Sequence, residues 1–96
     1  MLLKGKNICI TGAGRGIGRA VAIACAKEGA NLGLISRTID ELSNTRGDIE
    51  AIESGIKVIV KAADVTKYED LSQAFKEFHD ELGVLNGVIA NAGASG

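Results

Sequence analysis

The sequence predicts an α/β fold, a doubly wound parallel sheet entered in the order β-α-β-α-β-α-β. Three observations carry that prediction. Short runs rich in apolar, often β-branched residues alternate with longer segments whose apolar residues recur at helical spacing. A single helical segment stands between successive runs, which is the crossover that parallel strands require. Glycines cluster at the first strand-to-helix junction, and the chain has 13 Gly but no Pro, so glycine serves backbone reach rather than linker composition.

Taken in order, Asn7-Ile8-Cys9-Ile10 is a short apolar run suited to a strand buried on both faces. Between Arg15 and Glu28, Ile17, Ala20, Val21, Ala24 and Cys25 form an i, i+3, i+4, i+7, i+8 stripe, the pattern of an amphipathic helix ending at Gly29. Leu32-Gly33-Leu34-Ile35 is the second strand. Thr38 with Glu41 has the spacing of a capping box and opens a helix carrying Ile39, Leu42, Ile49 and Ile52, which stops near Gly55. Gly47 weakens the interior of that helix. The β-branched stretch from Ile56 to Val60 is the third strand. Thr66 with Glu69 repeats the capping pattern ahead of Leu71, Ala74, Phe75, Phe78 and Leu82, and Gly83 closes the helix. Leu85 to Ala90 is the fourth strand and runs into Asn91-Ala92-Gly93.

With 96 residues, 46% of them hydrophobic, and a formal net charge of −1, the chain has the composition of a small globular unit and not of a disordered one. It has no apolar stretch of the ~18–20 residues that span a membrane. Its first residues, Met1-Leu2-Leu3-Lys4-Gly5-Lys6, lack the pattern of a secretion signal, so a cytoplasmic location is expected. The charge is unevenly placed. Residues 1–37 hold six basic residues against the single acid Glu28, whereas residues 38–96 hold five basic and eleven acidic ones. A basic first third points to an anion held near that end. Nucleic acid is a poor candidate, because the aromatic residues Tyr68, Phe75 and Phe78 all fall in one helix. Cys9 and Cys25 have no metal or redox spacing and read as small buried hydrophobes.

The glycine cluster is Thr11-Gly12-Ala13-Gly14-Arg15-Gly16-Ile17-Gly18, a T-G-x-x-x-G-x-G pattern between the first strand and the first helix. Glycines there let the backbone approach a pyrophosphate, and the helix start offers free N–H groups and the positive end of its dipole. Gly18, further along, permits close packing of helix on strand.

These residues resemble the cofactor loop of the short-chain dehydrogenase/reductase family, in the style of its 3-oxoacyl-carrier-protein reductase members. The resemblance extends to Asp64-Val65 after the third strand and to Asn91-Ala92-Gly93 after the fourth. It implies the first half of a Rossmann-type sheet, with Gly12, Gly14, Arg15, Gly16, Ile17 and Gly18 around the phosphates. It also implies that Asp64 contacts the adenine amino group, the Val65 backbone contacts the ring, and Asn91, Ala92 and Gly93 lie along the cofactor. NAD sites usually carry an acid at the end of the second strand to accept the ribose 2′-OH. Here that position reads Ser36-Arg37-Thr38, with no acid before Asp40. Arg37, Ser36 and Arg15 suit a 2′-phosphate, so the expected cofactor is NADP(H).

By the same resemblance, hydride transfer to a carbonyl or alcohol substrate relies on a Ser and a Tyr-x-x-x-Lys motif. Tyr68 is followed four residues later by Ser72, not Lys, and the lone His79 has no partner at ligand spacing. The 96 residues are therefore expected to be an NADP-binding Rossmann portion, truncated before the catalytic half and inactive alone. The alternative is a stand-alone or partner-completed nucleotide-binding module without turnover. An apolar fourth strand at the sheet edge favours association, so a homo-oligomer is expected.

Overall fold

The computed structural model describes residues 2–53 and 55–91, and Ala92 and Gly93 lie outside them. The chain alternates β1 (Asn7–Thr11), α1 (Gly16–Lys27), β2 (Asn31–Ser36), α2 (Ile39–Ile52), β3 (Val58–Ala62), α3 (Tyr68–Leu82) and β4 (Gly87–Ile89). All pairings are parallel, and the four strands lie in the order β3-β2-β1-β4. The order reverses direction at β1: the chain moves outward through β2 and β3, then returns to β1's other side as β4.

Strand alternation sends successive side chains to opposite faces. Ile8, Ile10, Leu32 and Leu34 pack on one face with Ala22 and Ala26 of α1 and Leu42 and Ile49 of α2. Cys9 and Ile35 pack on the other with Ala74 and Phe78 of α3, where Ala63 joins them. Both faces of β1 and β2 are thus covered, which is why these strands read as continuous apolar runs. The Phe78 ring occupies the space above Gly33, where an added Cβ would stand 2.6 Å from Cδ2.

Polar side chains tie the strand entrances together at the opposite edge from the glycine cluster. Asn7 donates from Nδ2 to the Leu82 and Val84 carbonyls, 2.9 Å each, and its N–H donates to Asn86 Oδ1 at 2.8 Å. Asn31 Nδ2 donates to Asn7 Oδ1 at 3.0 Å, while the Lys57 N–H donates to Asn31 Oδ1 at 2.9 Å. The relay runs from the entrance of β4 through β1 and β2 to that of β3. It satisfies the amides of two partly or fully buried asparagines, as burial requires.

Several sequence expectations shift. The fully buried stripe of α1 is Gly18, Ala22 and Ala26; of the expected run, Val21 and Cys25 are partly buried against that core, whereas Ala20 and Ala24 are exposed and Ile17 is 73% exposed. A helix lying close on a sheet must turn its smallest residues inward, so size overrides hydrophobicity there. Neither capping box forms. Thr38 makes no side-chain cap, and the α3 N-cap is Lys67 rather than Thr66, whose hydroxyl bonds Asp64 instead. β3 begins two residues later than expected, at Val58, which pairs with Leu32. β4 covers Gly87–Ile89 only, with Val88 51% exposed.

Gly33→Ala will overpack the Phe78 face and lower stability by about 1–3 kcal/mol. Urea denaturation measures the loss, and Gly33→Ala with Phe78→Leu recovers part of it by freeing the ring's volume.

Candidate nucleotide-binding site

The strands end level at their C-terminal edge, where the glycine loop, the end of β2, the β3–α3 turn and the residue after β4 meet. In open α/β sheets ligands bind at this edge, at the point where strand order reverses. Here that point lies between β1 and β4, at the loop from Gly12 to Arg15.

The loop's glycines answer two separate demands. Gly12 (φ 66°) and Gly16 (φ 61°) sit in the left-handed region that other residues enter at a cost. Gly18 and Gly14 are demanded by contact: a Cβ on Gly18 would lie 2.0 Å from the Gly12 carbonyl oxygen, and one on Gly14 would lie 2.9 Å from Glu41 Cβ. The loop's outer bonds are few. The Ala13 N–H donates to the Ile35 carbonyl at 3.1 Å, whereas the Gly14 and Arg15 N–H groups have no acceptor among the described residues. Arg15, Gly16 and Ile17 are exposed at the start of α1.

Asn91 joins this centre. Its N–H donates to Thr11 Oγ1 at 2.9 Å, and its Nδ2 lies 2.8 Å from where a Gly18 Cβ would be. The end of β4 is thereby held against both β1 and α1.

At the end of β2, Ser36 Oγ accepts the Thr38 N–H at 3.2 Å. The two arginines expected at a 2′-phosphate each already face a carboxylate. Arg37 Nη2 is 3.8 Å from Asp64 Oδ1, and Arg15 Nε is 3.9 Å from Glu41 Oε2. Both arginines are largely exposed, so neither pair contributes more than about 0–1 kcal/mol, and either is readily exchanged for another anion. Glu41, spaced in sequence as a capping residue, instead extends over Gly14 and toward Ser36. The first turn of α2 therefore returns an acid to the end of β2, where the sequence alone puts none.

Besides the ligand contact that the resemblance implies, an Asp just past a strand is suited to closing the turn into the next helix. Its Oδ1 accepts the Thr66 hydroxyl at 2.6 Å and the Thr66 N–H at 2.9 Å, so it closes the turn into α3. The hydroxyl bond first, then the N–H bond, hold its pKa below the ordinary carboxylate range against an opposing effect of burial, with the Arg37 and Lys67 charges adding less than either bond. Val65 packs its side chain into the α3 face of the core, leaving its backbone at the edge.

Other candidates lie apart. His79 is exposed on α3, 3.9 Å from Asp80, and Tyr68 is 83% exposed at the helix start. Burial pushes the Cys9 thiol up to about 12 and raises Cys25 as well, so both are poor nucleophiles. Among the described residues no group of three or more His, Cys, Asp and Glu could hold a metal ion. No helix among them is long and apolar enough to cross a membrane.

Sequence reading missed two residues at this edge, Glu41 and Thr45. Thr45 is fully buried, with its Oγ1 3.3 Å from the Ala13 oxygen and 3.4 Å from the Gly14 oxygen. The available signal was spacing: Thr45 falls three residues after Leu42 and four before Ile49, a polar residue on the buried stripe.

The family model for short chain dehydrogenases matches residues 6–96. The chain belongs to this family. It is 40% identical over 91 residues to the glycine betaine reductase ATRR of Emericella nidulans, covering 95% of this chain and 7% of that protein. Among solved structures it resembles the apo form of glucose dehydrogenase of Caenorhabditis elegans, with a TM-score of 0.89 and 33% identity, over 99% of this chain and 40% of that one. A short chain dehydrogenase of Mycobacterium paratuberculosis bound to NAD gives the same TM-score, 0.89, at 28% identity, over 96% and 38% of the two chains. This chain therefore spans well under half the length of each of these relatives. The parallel sheet is that of the family's Rossmann-like fold, and the family acts with a nicotinamide cofactor on small molecules.

Since Asp64 is stabilised in its charged form by folding, it supports the fold above roughly pH 4, its unfolded pKa, and that support fades as pH falls through the lower folded value. Thr66→Val removes the leading cause, so the Asp64 midpoint will rise toward the ordinary value. A carbon-detected NMR titration of the carboxyl reads the shift directly.

Proposed function

We propose that these residues form the cofactor-binding part of an NADP(H)-dependent oxidoreductase acting on a carbonyl or alcohol substrate. The observation that carries this reading is the loop Gly12–Gly18. Gly16 has open space where a side chain would start, and the Gly14 and Arg15 N–H groups have no acceptor among the described residues. Those groups, with the positive end of the helix dipole, fit a pyrophosphate. When bound, the nicotinamide supplies or accepts the hydride that converts carbonyl to alcohol or back.

The chain's own residues bind and orient. Gly12, Gly14, Gly16 and Gly18 set the depth at which the pyrophosphate lies, with Ile17 exposed beside it on the first turn of α1. Asn91, with Ala92 and Gly93 after it, borders the cofactor from β4. Asp64 and the Val65 backbone border the adenine end. Ser36, Arg37 and Arg15 meet the 2′-phosphate, with Arg37 and Arg15 exchanging Asp64 and Glu41 for a dianion. The sequence has no Tyr-x-x-x-Lys. The 96 residues thus act as a binding portion without turnover, completed by residues outside them or by a partner.

A second reading, use of NAD(H), is favoured by one observation: Glu41 places a carboxylate beside Ser36 and Gly14, where a 2′-OH finds an acceptor and a 2′-phosphate meets repulsion. We also propose a homo-oligomer, because Val88 and Ile89 on β4 and the nearby Val84 leave apolar surface open at the sheet edge.

NADPH is expected to bind the chain at least tenfold more tightly than NADH in calorimetric titration, without measurable oxidation. Arg37→Ala reduces that preference. Equal or tighter NADH binding assigns the site to NAD(H), and Glu41→Gln then shifts preference toward NADPH. Sedimentation of the 96-residue chain is expected to give oligomers, against which a monodisperse monomer would count.

A further inference from the structure

The interior of α2 contains a residue that packing alone does not call for. Thr45 lies on the helix's buried stripe between Leu42 and Ile49 and is fully excluded from solvent. Valine would fill the same volume at similar helix propensity and without a polar atom. A buried threonine in a helix commonly returns its hydroxyl to the carbonyl four residues earlier. Here Oγ1 faces the glycine loop, 3.3 Å from the Ala13 oxygen and 3.4 Å from the Gly14 oxygen. Carbonyl oxygens only accept, so the hydroxyl proton is shared between them as donor.

That contact has a directional consequence. In a planar trans peptide the N–H points opposite to the C=O. The Ala13 carbonyl shares its plane with the Gly14 N–H, and the Gly14 carbonyl shares its plane with the Arg15 N–H. Drawing both carbonyls toward α2 therefore turns both N–H groups away from it. Both N–H groups are among those at the loop and helix start that have no acceptor among the described residues. The one bond that the Ala13–Arg15 segment makes through a peptide N–H is that of Ala13 to the Ile35 carbonyl, among the described residues, so the Thr45 hydroxyl is what meets the next two carbonyls.

We propose that Thr45 is the positioning residue of the phosphate loop, its buried hydroxyl holding the Ala13 and Gly14 peptides with their N–H groups turned toward the anion. The inference rests on the dinucleotide reading above and adds to it a residue on a different element. Without the hydroxyl, the two peptides must be oriented at the moment of binding, and the phosphate contacts weaken while the adenosine contacts do not.

The experiment uses the 96-residue chain as wild type, Thr45→Val and Thr45→Ser. NADPH and NADH are titrated calorimetrically, and adenosine, which carries no phosphate, by NMR. Thr45→Val is expected to weaken both dinucleotides about five- to tenfold, the worth of one net hydrogen bond, with adenosine binding changed less than about twofold. Thr45→Ser, which keeps the hydroxyl, restores dinucleotide binding. Unchanged dinucleotide binding in Thr45→Val overturns the proposal, as does an equal loss for adenosine, which marks a purely structural role. Wild type that binds neither dinucleotide overturns the nucleotide reading itself, and this inference with it. Thr45→Ala serves as a second hydroxyl-free variant; if both unfold while Thr45→Ser folds, the hydroxyl belongs to stability and the proposal fails.

Discussion

The contact of α1 with the turn that precedes it constrains everything at the C-terminal edge of the sheet. Gly18 lies so near the Gly12 carbonyl that even a methyl group has no room, and the Asn91 side chain closes the space from the third side. Helix, loop and β4 end are consequently a single packed unit. A helix approaching that closely must turn small residues to the sheet, which is why Gly18, Ala22 and Ala26 are buried and the larger Ile17 is left outside. The open N–H groups at the helix start are those that every helix leaves without an intrahelical acceptor, and the loop's Ala13 and Gly14 carbonyls are taken by Thr45.

The opposite edge supplies the complementary constraint. The asparagine relay from Asn86 through Asn7 and Asn31 to Lys57 sets where each strand begins. Parallel ladders could slide in register if only apolar faces were matched, but a buried amide displaced from its partners costs more than a shifted methyl group. Strands that begin together end together. Thr11 pairs with Ile35 and Ser36 with Ala62, so these strands finish within one residue of each other, and Asn91 just past β4 is bonded to Thr11, so residues far apart in sequence border one site. Electrostatics then refines that site: a strongly basic end in sequence becomes two exposed arginine–carboxylate pairs, with Glu41 and Asp64 close by.

The alternation of strand and helix, the glycine loop and the order of the three motifs were legible in the sequence, and so was the family they resemble. These features depend on local chemistry: periodicity follows from which face is buried, and glycine from positive φ or close approach. Phe78 and Leu42 were read correctly as core for the same reason. Glu41 and Thr45 were not read as site residues. Glu41 stood at capping-box spacing, and Thr45 passed as an ordinary helix residue, because a side chain's partner across the fold leaves no trace in its neighbours along the chain. The Thr66 cap failed on a different, local ground: Asp64, two residues earlier, takes the hydroxyl's proton in a bond to a charged acceptor.

By itself the sequence determined the parallel α/β alternation, the glycine loop at the head of α1 and the basic bias of the first third, since each is a property of residues adjacent in the chain. Only the tertiary structure decided which small residues face the sheet, that each arginine stands beside an acid, and that a threonine of α2 bonds the glycine loop. Those outcomes depend on distances between elements, and the distances come from packing to contact around Gly18, Gly33 and the asparagine relay.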